Sequence, residues 1–240
     1  MAELPNSLAD AIAEARVATL AALADGYSLL QVELLFPELN PMPVAEQFLS
    51  TFDAFGSHLK VFFPDAGAAA LARRDWGDVP FKILDVGTGR VPVERQIEPE
   101  DEAFLFIAPT AVEVMQVEKL CTEAGDRPVV LFNPRLEDVS IVGIGYAGRQ
   151  LRDRFLNKIE SCYYLRALED STLYRCYPSR WQVWRETKDD YQLISELDKK
   201  PVGEEIDEIL AGTNQPAGSP APKKSGLFAS MQRFMRSLSS

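Results

Sequence analysis

The chain has 240 residues, of which 46% are hydrophobic and 25% charged, and its formal net charge is −11 at pH 7. This balance is typical of a globular protein with a sizeable core, and the negative charge argues against a general affinity for nucleic acid. No apolar run approaches the roughly 20 residues that a membrane-spanning helix needs. Residues 1–7 also lack the basic start and apolar run of a signal peptide, so we expect a cytoplasmic protein.

Residues 7–132 alternate between helical and extended patterns. Asn6 or Ser7 can cap a first helix, in which apolar residues recur at helical spacing until Gly26. Short apolar runs, bounded by prolines or turn residues, then predict strands between further helices. The predicted strands are 29–36, 59–63, 81–86, 103–107 and 129–132, and the helices between them are 43–55, 66–74 and 111–124.

Short apolar strands that alternate with helices predict an α/β fold, in which helices cover both faces of a mostly parallel sheet. The alternation continues through a strand at 139–142 and a helix at 148–158. Three later runs are separated by turn residues and predict a small antiparallel meander packed on one edge of that sheet. These runs are 162–168, 173–177 and 181–184, and we expect a single domain over residues 1–211.

The C-terminal residues have a different composition. Residues 212–222 are rich in proline, glycine and serine, which predicts a flexible, disordered linker. Residues 223–240 hold four basic side chains and no acidic one, so this tail carries +4 and residues 1–222 carry −15. On a helix the apolar side chains of the tail fall within an arc of about 120°, and Arg233 and Arg236 face the other way.

This tail is predicted to form a basic amphipathic helix that lies on an anionic membrane surface, since it is too short to span a bilayer. The same apolar stripe also suits a groove on a partner protein or a docking site on the chain's own domain, and the sequence leaves these alternatives open. The residues predicted to bind the membrane are Lys223, Lys224, Leu227, Phe228, Met231, Arg233, Phe234, Met235, Arg236 and Leu238.

Two glycine-containing strings are weak candidates for a cofactor site. Residues 83–89 resemble the first motif of S-adenosylmethionine-dependent methyltransferases, but the prolines that follow predict a loop where that motif requires a helix. Residues 143–148 have a Gly-x-Gly-x-x-Gly spacing before a predicted helix, but lack the later acidic residue of a dinucleotide site. Tight turns also explain these glycines, and we expect no bound cofactor. The candidates are Asp85, Gly87, Gly89, Gly143, Gly145 and Gly148.

Signatures of catalysis and metal binding are sparse. His58 is the only histidine, which excludes chemistry that needs two, and we expect it to cap the start of a strand. Cys121, Cys162 and Cys176 are widely spaced, which predicts reduced and buried thiols. We therefore predict no catalytic residue and no metal site. Ligands of parallel α/β proteins bind where strands end, here at the loops after Phe36, Phe63, Val86, Ile107 and Phe132.

Residues 149–185 interleave arginines with aromatic side chains in an otherwise acidic domain. Arginine beside aromatic side chains suits recognition of an anion or of a protein partner. Pairing of these arginines with carboxylates, and packing of the aromatics in the core, is the plainer explanation and stays open. The predicted partner surface consists of Arg149, Arg152, Arg154, Arg166, Arg180 and Trp181.

Seven short strings together resemble a known family. They are PVVLFNPRL at 128–136, RQLRDRF at 149–155, YYLR at 163–166 and YPxxWQV at 177–183, with LPNSL at 4–8, VELLFP at 32–37 and FPD at 63–65. These strings are similar to a domain of unknown function (DUF1995) found in cyanobacteria and plastids, and the likeness covers roughly residues 4–187. Relatives include a plastid factor needed for photosystem II accumulation and a domain fused to a plastid adenylate kinase.

The resemblance implies a photosynthetic source and a role in assembly or regulation near the thylakoid, and it brings no catalytic residue. The leading hypothesis is therefore a non-catalytic accessory factor, attached peripherally to the thylakoid or cytoplasmic membrane by its tail, with photosynthetic assembly proteins as possible partners. The alternative is an α/β enzyme that binds a nucleotide or S-adenosylmethionine at the carboxyl edge of the sheet.

Overall fold

A computed structural model describes residues 3–87, 92–137, 145–187 and 190–212. Its α-helices are α1 (Leu8–Ala24), α2 (Pro41–Phe48), α3 (Ala66–Asp75), α4 (Val114–Ala124), α5 (Tyr146–Arg154) and α6 (Gly203–Gly212). Its strands are β1 (Leu29–Leu35), β2 (Leu59–Phe63), β3 (Lys82–Asp85), β4 (Ala103–Ile107), β5 (Val129–Phe132), β6 (Glu160–Leu168), β7 (Ser171–Cys176), β8 (Trp181–Glu186) and β9 (Tyr191–Leu197). Short 3-10 helices cover Leu49–His58, Val93–Gln96 and Leu156–Lys158.

Polar side chains and glycine set the helix ends. Ser7 Oγ accepts a hydrogen bond from the Asp10 amide at 3.0 Å, which caps α1 as predicted. Asp65 caps α3 in the same way. Just beyond α1, Gly26 has a φ of +93°, a conformation that glycine adopts without the penalty of a side chain. The predicted strand at 139–142, the linker beyond Gly212 and the tail lie outside the described residues.

The nine strands of the described residues belong to one sheet, in the order β3-β2-β4-β5-β1-β6-β7-β8-β9. The strands from β3 to β6 in this order are parallel, and β7, β8 and β9 continue the sheet antiparallel. The predicted α/β class, with its antiparallel C-terminal meander, is therefore confirmed. The meander continues the main sheet, because β6 pairs with β1 on one side and β7 on the other. Leu165, for example, lies between Leu34 and Tyr174.

Helices α1, α2 and α3 cover the first face of the sheet. The positions of α1 that face the strands are small, and Ala11, Ala15 and Ala18 are fully buried. They pack in one cluster with Leu30 and Val32 of β1. Because alanine side chains are short, this helix lies close against the central strands.

Helices α4, α5 and α6 cover the second face. Val117 of α4 and Leu151 of α5 pack with Phe104 and Phe106 of β4. At the other end of the same face, Ile206 of α6 packs over the meander. In the described residues the second face therefore has two separate apolar clusters, and between them the polar side chains of Gln31, Glu33 and Ser161 lie together on β1 and β6.

Candidate functional site

A cleft of about 770 Å³ runs along β1 on the second face of the sheet. Side chains alternate between faces along a strand, so Gln31, Glu33 and Leu35 form its floor, whereas Val32 and Leu34 point into the first-face core. The walls come from the loops after β4 and β5 and from the 3-10 helix after α5. Lys200, between β9 and α6, closes one side. We call this the β1 cleft.

The sheet topology explains the position of the β1 cleft. The neighbouring strands β1 and β5 send their connections to opposite faces, because α2 lies on the first face and α5 on the second. In parallel α/β sheets such a switch leaves a crevice at the carboxyl ends of the strands, where ligands bind. Two of the loops predicted from the sequence, those after Ile107 and Phe132, indeed line this cleft.

The loops after β4 and β5 have matching conformations and hold each other in place. Each begins with a residue in the left-handed region, Ala108 and Asn133, both with a φ of +48°, and each continues with a proline. The Ala108 amide donates to the Phe132 carbonyl at 2.7 Å, and Asn133 Oδ1 accepts from the Leu34 amide at 2.6 Å. Backbone strain of this kind persists only where the surroundings fix it, and these hydrogen bonds hold the two residues in this conformation.

Glu33 is the charged group on the floor. Its side chain is 11% exposed, although it stands on the central strand of the sheet. Gln31 Nε2 donates to its Oε2 at 2.9 Å, and Ser161 Oγ donates to the same oxygen at 3.4 Å. Burial raises the pKa of Glu33 above its usual 4.5, and nearby Lys200 offsets part of this effect.

Lys200 faces Glu33 across the cleft but does not close on it. Its Nζ lies 3.7 Å from Glu33 Oε1, beyond an ordinary N–H···O hydrogen bond, and its side chain is 43% exposed. The same nitrogen lies 4.0 Å from the centre of the Tyr164 ring and 5.4 Å from that of Trp181, which are cation–π distances. Burial lowers the pKa of Lys200, and the Glu33 carboxylate opposes that shift.

Further charges surround the mouth of the cleft. Arg135 lies in its lining and is exposed, and Glu137 beside it pairs with Arg152 at 3.3 Å. Arg166, exposed on β6, also contributes positive charge near Glu33. The floor is thus acidic, and the rest of the lining carries two cations, Arg135 and Lys200, and one further acid, Glu137.

A fully buried lysine on β2 provides a contrast to Lys200. Lys60 of β2 is 2% exposed and pairs with Asp101, itself 4% exposed, at 2.7 Å. The Gln96 carbonyl accepts from Lys60 Nζ at 2.5 Å, and Glu98 lies 3.3 Å away. This lysine is surrounded by its partners and fixes the segment before β4 at the amino edge of the sheet.

The predicted cofactor candidates do not converge on the β1 cleft. Asp85 ends β3, the outermost strand on that side of the sheet, and Gly87 follows it with a φ of +82°. Gly145 is the N-cap residue of α5 and Gly148 is buried within that helix. Gly89 and Gly143 lie outside the described residues, as do all the residues predicted to bind the membrane.

The structure corrects one member of the predicted partner surface. Trp181 is only 3% exposed and packs with Tyr164 in the core of the meander, so it cannot contact a partner directly. Arg149 and Arg166 are exposed. The other arginines make ion pairs within the chain: Arg152 with Glu137, Arg154 with Glu118 and Arg180 with Asp198. For these three, ordinary pairing accounts for the sequence pattern.

The remaining candidates have structural positions. His58 precedes β2, and its Nδ1 lies 2.6 Å from the Glu100 carbonyl. All three cysteines are free, and burial raises the pKa of Cys121 and Cys162 to about 12, which leaves these two thiols unreactive. Within the described ranges, no cluster of histidine, cysteine or acidic side chains could hold a metal ion. None of the helices in those ranges is long and apolar enough to cross a membrane.

Sequence reasoning missed the residues at the centre of the cleft, Gln31, Glu33 and Lys200. A signal existed for Glu33, because an acidic residue interrupts the apolar run of a strand expected to be buried on both faces. Lys200 follows another lysine in a surface segment and has no such signal.

Fold and cleft together define an α/β protein with a mixed nine-stranded sheet and a polar site beside its central strand. The family model of a domain of unknown function, DUF1995, matches residues 5–208. The chain therefore belongs to this family, as the sequence strings predict. The match includes every described strand and ends within α6.

Proposed function

We propose that this protein is a non-catalytic accessory, assembly or regulatory factor that attaches peripherally to an anionic membrane through its C-terminal tail. The charge distribution carries the proposal: residues 223–240 hold +4 and an apolar stripe, whereas residues 1–222 hold −15. Each cation near an anionic lipid contributes about 1 kcal/mol, and the buried apolar side chains add to this. Repulsion between the acidic domain and the lipid keeps the domain itself off the surface.

The membrane that we propose is the thylakoid or the cytoplasmic membrane of a photosynthetic cell, with photosynthetic assembly proteins as partners. Support comes from the resemblance of the seven sequence strings, which implies a photosynthetic source. The linker at 212–222 would allow the domain to reach such partners while the tail stays bound.

Liposome flotation of the full chain tests the attachment. The wild-type protein is expected to float with vesicles that contain anionic lipid and to remain below with neutral ones. Met231→Asp places a charge in the middle of the predicted apolar stripe and should abolish flotation. Ala229→Asp adds the same charge on the opposite side of the predicted helix and is the matched control.

Equal flotation of the two variants, or flotation of a chain that ends at Gly212, would refute attachment through the tail. If the wild-type protein does not float with anionic vesicles, the apolar stripe serves a protein contact instead, and a partner groove becomes the better explanation.

A second candidate function is the binding of a small ligand, such as a nucleotide or S-adenosylmethionine, with or without catalysis. The β1 cleft favours it, because it lies at a topological switch point, has the volume of a metabolite site and contains a buried carboxylate. The two functions are compatible, since the cleft belongs to the domain and the membrane contact to the tail.

A further inference from the structure

The β1 cleft combines opposite charges at different depths. Glu33 lies on the floor and is 11% exposed, whereas Lys200 is 43% exposed at one side. Arg135 follows β5, lines the cleft and is exposed. Both cations are thus more exposed than Glu33, and the acid next to them in the lining, Glu137, pairs with Arg152 at 3.3 Å.

Only one of the two oxygens of the Glu33 carboxylate accepts hydrogen bonds from the described residues. Both of its described hydrogen bonds reach Oε2, from Gln31 and Ser161. Within the described ranges the contact of Oε1 is the long ion pair with Lys200, at 3.7 Å. A carboxylate offers about four lone-pair positions, and leaving them unfilled in a buried place costs free energy. A cationic N–H group at Oε1 would fill them.

The ion pair between Glu33 and Lys200 does not have the geometry of a contact that stabilises the fold. Where this protein buries a lysine for stability, at Lys60, the distance to the carboxylate is 2.7 Å and both partners are at most 4% exposed. Lys200 instead lies over the rings of Tyr164 and Trp181, and the Glu33 side chain lines the cleft. A volume of about 770 Å³ is ample for a small metabolite.

We propose that the β1 cleft binds a small zwitterionic metabolite, whose cationic nitrogen group pairs with Glu33 and whose acidic group lies between Arg135 and Lys200. Guanidinium and ammonium groups supply the donors that Oε1 lacks. The acidic group compensates these two cations, which would otherwise repel a purely cationic ligand. This inference rests on the second candidate function and is independent of membrane attachment.

The depth at which each charge lies in the cleft also distinguishes a zwitterionic ligand from other classes of ligand. A polyanion such as ATP would have to place its phosphates against Arg135 and Lys200 while an uncharged part faces Glu33. A diamine would satisfy Glu33 but would place a second positive charge beside Arg135 and Lys200. A ligand with both charges, the positive one deeper, matches Glu33 on the floor and the two cations of the lining.

The test uses three probes with the full chain: L-arginine, agmatine and glutarate. Agmatine is arginine without its carboxylate, and glutarate has carboxylates but no cation. Amide shifts of β1 and β6 in NMR spectra report on occupancy, with each probe added to about 10 mM, enough to detect a Kd of about 1 mM. We expect L-arginine to bind at least fivefold more tightly than agmatine, and glutarate to bind most weakly.

Two substitutions test which charged group of the ligand Glu33 and Arg135 each contact. Glu33→Gln keeps the shape and an acceptor oxygen but removes the charge, and it should weaken L-arginine and agmatine at least tenfold. Arg135→Gln, at an exposed position, should weaken L-arginine severalfold and leave agmatine unchanged. Glu46→Gln, an exposed acid on the first face, is the matched control and should change nothing.

The proposal is overturned if none of the probes shifts a resonance of the cleft, if glutarate binds best, or if Glu33→Gln binds L-arginine as the wild type does. If Glu33→Gln does not fold, the Arg135→Gln comparison decides: equal weakening of arginine and agmatine also overturns it. None of these outcomes affects flotation, so failure here leaves the membrane proposal standing.

Discussion

Two lysine–carboxylate pairs lie on the second face of the sheet, and they differ in distance, exposure and surroundings. Lys60 and Asp101 are 2.7 Å apart and nearly inaccessible, and a backbone carbonyl supplements the pair. Glu33 and Lys200 are 3.7 Å apart, and the lysine is 43% exposed. The Lys60–Asp101 pair is inaccessible to ligands, so it can contribute only to the stability of the fold. The second leaves a buried carboxylate accessible from a cleft, which is the condition for binding a ligand.

The largest effect is expected at the Lys60–Asp101 pair. Lys60→Met should lower the free energy of unfolding by about 3–5 kcal/mol, because Asp101 would remain buried without a counter-charge. The midpoint of urea unfolding measures this change. Lys82→Met removes an exposed lysine that pairs with Glu98 at 2.6 Å, and it should cost far less. If the two variants unfold at similar urea concentrations, the buried Lys60–Asp101 pair stabilises the fold no more than an exposed ion pair does.

A smaller effect is expected at the wall of the cleft. Asn133→Ala should cost about 2 kcal/mol, because the buried Leu34 amide loses its acceptor. The change also places a side chain that disfavours the left-handed region at a φ of +48°. Asn133→Gly loses the same hydrogen bond but tolerates that φ, so it should be the less damaging of the two. If the alanine variant is as stable as the wild type, the wall is not held as described.

Glu33 should make stability depend on pH. Its pKa is raised in the folded protein, so between its usual 4.5 and the raised value the folded state binds more protons than the unfolded state. Stability from this group is therefore present at low pH and is lost as pH rises through the folded pKa. Glu33→Gln removes that loss, and its unfolding free energy relative to the wild type should increase across this window. Urea titrations at several pH values that run parallel for both proteins would contradict this.

The smallest effect is expected at Lys200. Lys200→Met keeps an apolar chain over Tyr164 and removes a long, half-exposed ion pair, so the loss should be about 1 kcal/mol or less. Thermal unfolding with the wild type as reference is sufficient to measure it. A loss as large as that of Lys60→Met would mean that the Glu33–Lys200 pair is structural after all.

The parallel half of the fold is predictable because its strands are short and mostly apolar, and β4 and β5 are apolar throughout. Strand β9 was missed because it mixes polar and apolar residues and is only partly buried, as at Gln192 and Ser195. The order of the strands in the sheet could not be predicted from the sequence, for a different reason. Nothing local in β1 indicates that its partners are β5 and β6, since pairing depends on the packing of the whole domain.

The candidate site was predictable in part. The rule that ligands bind where parallel strands end leads to the loops after Ile107 and Phe132, which line the cleft. It does not lead to Glu33, because its place in the cleft depends on which face of β1 the helices leave uncovered. Lys200 is far from Glu33 along the chain, and only the tertiary structure places it beside Tyr164.

The position of β1 in the sheet has a consequence for how the chain folds. Leu30 pairs with Val130 on one side and with Glu160 on the other, so both neighbours of this early strand are made much later. The centre of the sheet cannot close during synthesis until the chain has passed Leu168, the end of β6. Pairings between such distant residues form slowly, and the apolar strand stays unprotected meanwhile. During synthesis, the floor of the cleft and the middle of the core can therefore form only after β6 has been made.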